Sequence, residues 1–285
     1  MAAFLDVINS LSLQWVSWSV AQLAALCSHL GMFFVLVGIL FLLQKWVLVL
    51  ANNMLSGRLI YISAWIGTPV HELSHALCCV LFGHKIQRIV LFNPDRRGTL
   101  GYVTHCYDNR QLWKVLGNFL IGIAPLFGGL GCIYLLTLLL LKDSDTLLLI
   151  IQSTLLNDLY SLHWHSLLAL SGDLFFFFKN AYLASPYHVV TWAYLCAAIS
   201  LHLSPSKEDL KGAWSGLLIF LFFYLIGQGG YQYLGGEWDS GLTGGLNLLS
   251  TLSVIGIIFA SLLLLCLLVY RMTWQLFKGL SPFKH

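Results

Sequence analysis

The chain has 285 residues, of which 58% are hydrophobic and only 9% charged, with a mean hydropathy of +0.80. Soluble domains carry roughly 25% charged residues, so this composition excludes a water-soluble globular protein and predicts an integral membrane protein of several spans. The formal charge of +3 and pI near 8.4 call for no nucleic-acid partner; Lys and Arg gathered in cytoplasmic loops account for them.

The first twenty residues contain no Lys or Arg, so they lack the positive n-region of a cleavable signal peptide. Within residues 1–20, Phe4, Leu5, Ile8, Leu11, Trp15 and Trp18 predict a short helix lying at the membrane interface. Apolar segments follow at Leu26 to Val49, Leu59 to Leu81, Val115 to Leu141, Val189 to Leu203, Ala213 to Ile226 and Leu249 to Tyr270. They predict an all-α polytopic membrane protein of about six transmembrane helices, forming one integral-membrane domain over 1–285. Leu147 to Phe178 is apolar but holds Asp158, His163, His165 and Asp173, which predicts a broken helix or an element packed against a site.

Lys85, Arg88, Arg96, Arg97, Arg110 and Lys114 crowd one connection, residues 85–114, and Arg271, Lys278 and Lys284 follow the last span. Both regions are expected in the cytoplasm, as are both termini. Inside that connection, Ile86 to Phe92 and Thr99 to Tyr107 are β-prone and flank Asn93-Pro94-Asp95-Arg96-Arg97-Gly98, which reads as a hairpin. Its exposed edge near a metal site can hold an unwound peptide by strand addition, or the hairpin can simply join two helices. Gly227 to Gly245, with Tyr231, Tyr233 and Trp238, reads as a Gly-rich interfacial loop. The seven cysteines show no CxxC spacing; Cys27, Cys78, Cys79, Cys132, Cys196 and Cys266 lie in apolar segments and read as free thiols.

The chemistry is concentrated in the second span. His71, Glu72 and His75 form an HExxH sequence, HELSH. On a helix this places two imidazoles one turn apart on one face, where they can hold Zn²⁺, with the glutamate beside them as a base. Ionisable groups at bilayer depth are costly, so they point to function before structure. The plainer alternative is a pair of buried histidines hydrogen-bonded to neighbouring helices. A catalytic zinc usually has three protein ligands plus water. The residues leave the third open: Asp209 and His202 lead, flanking the break at Pro205, with His105 on the second hairpin strand and Asp173 behind them. Asp209 also reads as a plain helix cap.

The segment GTPVHELSHALCCVLFG resembles the metal-binding helix of the M50, or site-2 protease-like, family of intramembrane zinc metalloproteases. Gly122-Ile-Ala-Pro125 and Gly128-Gly129 resemble that family's small-residue segment after the HExxH helix, and Asp209 in EDLKG matches the aspartate of its LDG-type motif. The resemblance covers about Leu59 to Leu217 and implies a metallopeptidase-like core over 59–217. It further implies Zn²⁺ held by His71, His75 and Asp209, Glu72 as the catalytic base, and a transmembrane or membrane-anchored protein substrate in a bacterial cytoplasmic membrane. Two other classes stay open on the residues alone: a metal-binding membrane partner or chaperone without peptidase activity, and a transporter using Asp158, His163 and Asp173 along a pathway.

Overall fold

A computed structural model describes residues 2–54, 58–95, 98–158, 164–211, 213–233 and 239–280. In chain order it places α1 (Ala2–Met54), α2 (Arg58–Leu81), β1 (Lys85–Val90), β2 (Tyr102–Cys106), α3 (Leu112–Leu140), α4 (Ser144–Asp158), α5 (Trp164–Ala184), α6 (Pro186–Ser200), α7 (Ala213–Tyr233) and α8 (Asp239–Leu280). The helical class and the hairpin after the HExxH helix are therefore as expected. The segment 1–20 is not separated from the first span, because α1 runs through both without a break.

Among the described residues, three helical stretches are long and apolar enough to cross a membrane by length and composition: Leu30–Asn53, Leu112–Leu140 and Gly244–Gln275. The other expected spans are more polar or shorter. α2 has 24 residues but carries His71, Glu72 and His75, and α6 has only 15 residues. At 1.5 Å per residue α6 is about 22 Å long, short of a hydrocarbon core of about 30 Å. Leu147 to Phe178 is indeed interrupted, with α4 ending at Asp158 and α5 beginning at Trp164. These two helices pack against each other, α6 and α8 rather than against α2, so Asp173 is carried away from HELSH. His163 lies outside the described residues, as does the centre of the Gly-rich stretch; its two ends belong to α7 and α8.

α3 is the central helix, packed against α2, α6, α7 and α8. Around it Phe33, Leu36 and Leu40 of α1 meet Leu126, Leu130 and Ile133 of α3, Trp192 and Ile199 of α6, and Leu252 and Ile255 of α8. Between apolar helices in lipid the hydrophobic effect contributes little, so close approach of small residues and interhelical hydrogen bonds carry the packing. Gly128 shows this: a Cβ there would lie 2.0 Å from Ser74 Oγ of α2. The buried Trp192 indole N–H donates to Thr137 Oγ1 at 3.0 Å, tying α6 to α3.

α2 ends in a reciprocal C-cap. The His84 amide donates to the Cys79 carbonyl at 2.8 Å and the Gly83 amide to the Val80 carbonyl at 3.1 Å, with Gly83 at φ +68. This is a Schellman motif, and glycine supplies its left-handed residue without a Cβ clash. The chain then enters the antiparallel β1–β2 hairpin, whose register shifts between Ile86 and Arg88 so that Gln87 is the extra residue of a bulge. At the other end of the site, α6 stops at Ser200, and the connection 201–211 folds back along α2 and α3. That return positions Asp209.

Candidate metal centre

HELSH lies in the second half of α2, after Pro69. Helical spacing turns His71, Glu72, Ser74 and His75 toward the protein, while Leu73, Leu77 and Val80 face outward and are exposed. Both imidazoles are oriented by main-chain carbonyls. His71 Nδ1 lies 2.7 Å from the His202 carbonyl oxygen, and His75 Nδ1 lies 2.8 Å from that of Ile121. A carbonyl only accepts, so each Nδ1 donates and each neutral ring presents a lone pair at Nε2.

Those two lone pairs converge with a carboxylate. The Nε2 atoms of His71 and His75 are 3.2 Å apart, His71 Nε2 is 3.6 Å from Asp209 Oδ2, and His75 Nε2 is 3.3 Å from Asp209 Oδ1. Three electron-pair donors facing one point need a cation or a proton among them. A tetrahedral ion with bonds of about 2.0–2.1 Å has ligand–ligand edges of about 3.3 Å, so this donor set fits zinc in size and in chemistry. Among the described residues it is the group of three or more His, Cys, Asp or Glu side chains close enough to hold a metal.

Asp209 is set by its own turn. The Ser206 amide donates to Asp209 Oδ2, and the Asp209 amide donates to Ser206 Oγ. Burial by itself would raise the Asp209 carboxyl, but the contacts to His71 and His75, with that from Ser206, outweigh it and hold the group well below the usual carboxylate range. The close approach of its loop to α3 depends on Gly122, where a Cβ would lie 2.4 Å from the Asp209 carbonyl oxygen. Gly67 does the same for His202: a Cβ there would meet the His202 ring at 2.4 Å.

The other candidates fall outside the trio. His202 contributes its backbone carbonyl rather than its ring, whose Nε2 lies 3.3 Å from Ser63 Oγ; that hydroxyl donates to the Ile60 carbonyl, so it accepts from His202. His105 pairs with His84 at 3.0 Å between their Nδ1 atoms, and His84 Nε2 donates to the Lys114 carbonyl at 2.8 Å. Burial lowers both of these imidazoles; the Lys114 carbonyl opposes the shift at His84, and nearby His84 and His75 add to it at His105. Glu72 is buried beside the trio, its Cγ 3.0 Å from the place a Cβ would take at Gly101, just before β2. A cavity of about 900 Å³ opens over this group, walled by α1, α2, the Gly98–His105 segment, Asn118 of α3 and the Asp209 loop.

Four contributors are invisible in a search for ligand side chains: the His202 and Ile121 carbonyls, Gly122 and Ser206. The carbonyls leave no signal; Gly122 belongs to the small-residue segment Gly122-Ile-Ala-Pro125, and Ser206 leaves the S-x-x-D spacing with Asp209. No protein-family model, curated protein or solved structure matches the chain.

Proposed function

We propose that the protein is a zinc-dependent intramembrane endopeptidase acting on a transmembrane or membrane-anchored protein. The observation that carries this reading is the convergence of His71 Nε2, His75 Nε2 and the Asp209 carboxylate, whose Oδ2 lies 3.6 Å from the first and Oδ1 3.3 Å from the second, beside buried Glu72 and open to one cavity. A zinc ion held by these three residues would supply Lewis acidity toward an amide carbonyl and an attacking water. Glu72 takes the water's proton and returns it to the leaving nitrogen. The carbonyls of His202 and Ile121 hold the imidazoles in the ligating tautomer throughout.

A helical substrate must unwind first, because its carbonyls are engaged in the i to i−4 ladder. β2 supports that step: it lines the cavity and pairs on one side with β1, in a sheet of two strands. Its second edge suits an extended peptide. The basic connection 85–114 favours a cytoplasmic position for the hairpin, with both termini on the same side of a bacterial cytoplasmic membrane.

The test is zinc per protein in detergent-purified wild type and in His71→Ala and Asp209→Ala, followed by mass-spectrometric profiling of new N-termini in membranes from cells making wild type or Glu72→Gln. Near one zinc in wild type, loss in both ligand variants, and termini that vanish in Glu72→Gln with metal retained support the peptidase. Metal without any Glu72-dependent termini would favour a metal-binding membrane partner.

A further inference from the structure

Lys114, Asn118, Ile121 and Gly122 recur at helical spacing and share one face of α3. Three of them are already engaged. The Lys114 carbonyl accepts from His84, which holds His105 of β2; the Ile121 carbonyl accepts from His75; and Gly122 packs on the Asp209 carbonyl. Asn118 therefore stands between the hairpin contact and the metal ligands, about 6 Å along the axis from Lys114 and about 4.5 Å from Ile121 at 1.5 Å per residue.

The fold does not use its carboxamide. Asn118 lies in the apolar stretch Leu112–Leu140, where an asparagine ordinarily hydrogen-bonds a neighbouring helix. Among the described residues it has no such partner, yet it is half-buried and neither of its polar side-chain atoms is closed off, unlike the sealed Gln44 Oε1 and Thr68 Oγ1. It lines the cavity shared by the metal ligands and β2. Cα–Cβ bonds tilt toward the amino end of a helix, so its side chain leans toward the hairpin.

A peptide unwound for cleavage exposes N–H and C=O groups at a depth where water is scarce. A strand added to an edge pairs through alternate residues, and the groups of the residues between them face away. A carboxamide offers one acceptor and one N–H donor in the geometry of a peptide unit, so it can satisfy both groups of one such residue.

We propose that Asn118 binds the substrate main chain between the metal centre and β2, with Nδ2 donating to a carbonyl and Oδ1 accepting from an N–H of one residue. The proposal rests on the peptidase reading and names a substrate-binding residue of that site.

The test uses full-length protein in detergent, loaded with Co²⁺ so that its visible bands report the metal centre by themselves. A short leucine peptide hydroxamate, suited to the apolar wall at Phe41, Leu48 and Val49, is titrated beside analogues in which each backbone N–H in turn becomes an ester oxygen. In wild type, replacement at a residue held by the protein weakens binding by about tenfold. Asn118→Leu keeps the Co²⁺ bands, binds the parent about tenfold more weakly, and loses the ester penalty at one position only; Asn118→Gln restores part of it. Identical penalties in wild type and Asn118→Leu, or none in wild type, overturn the assignment and leave the metal centre standing. Loss of the Co²⁺ bands in both Asn118→Leu and Asn118→Ala also overturns it, by making Asn118 a support of the metal site. A wild type without Co²⁺ bands overturns the metal centre and this proposal together.

Discussion

Ser206 and Asp209 cap each other: the Ser206 amide donates to Asp209 Oδ2 at 2.6 Å, and the Asp209 amide donates to the Ser206 hydroxyl at 3.2 Å. This is the reciprocal i, i+3 arrangement of a capping box, except that its acidic member also faces His71 and His75. Cap and ligand are thus one residue, and the two readings of Asp209 open in the sequence do not compete. Ser206→Ala keeps the amide but removes the oxygen that fixes Asp209. We expect a loss of about 1 kcal/mol in stability and a zinc affinity lower by about tenfold, measured by chelator competition. Unchanged affinity would show that the cap does not orient the ligand.

Gly122 and Gly131 lie on the same helix and differ in what a methyl group would meet. At Gly122 it would sit 2.4 Å from the Asp209 carbonyl oxygen, and at Gly131 nothing lies within 4 Å. Both Gly→Ala changes gain up to about 1 kcal/mol of helix propensity, so only the first displaces the ligand loop. Gly122→Ala should lower bound zinc well below one per protein while Gly131→Ala holds the wild-type amount. Equal zinc in the two would mean that the loop moves aside without moving the carboxylate.

HELSH was legible because its chemistry follows from local spacing: i and i+4 share a helix face whatever surrounds them. The hairpin was legible for a similar reason, since two β-prone runs flank Asn93-Pro94 and Gly98. The carbonyls of His202 and Ile121 were not, because every residue carries one and only the return of the chain after Ser200 brings His202 to His71. His105 read as a ligand because it is a histidine near the site. Its partner is instead His84, brought opposite by the cap at Gly83 and the bulge at Gln87. Span count failed to resolve for a different reason: an apolar run looks the same in a crossing helix and in a short one such as α6 that packs inside the bundle.

Thr137 and Trp192 test the packing apart from the site. Both are buried, and their 3.0 Å hydrogen bond joins α3 to α6. Thr137→Val is nearly isosteric but leaves the indole N–H unpaired in the core, which costs about 1–3 kcal/mol. Thermal melting in detergent should fall accordingly, with zinc binding at wild-type strength below the melt. A stable variant with weakened zinc would instead place Thr137 in the route that holds the 201–211 loop.

His84 and His105 make the hairpin sensitive to pH in a direction that their geometry fixes. His84 Nε2 donates to the Lys114 carbonyl, so its Nδ1 accepts from His105 Nδ1–H. A proton added to His84 would set two N–H groups against each other. Burial lowers both imidazoles in the folded protein, so below about 6.5 the unfolded chain takes up protons that the folded hairpin does not. The stabilisation is whole above that pH and is lost as pH falls from there through the folded-state values. Hydrogen exchange of the β1–β2 amides should accordingly show weaker protection at pH 5.5 than at pH 7.5, after correction for intrinsic exchange. In the double variant His84→Gln, His105→Gln the difference should largely disappear. A slope that persists there would assign the pH response to groups outside the pair.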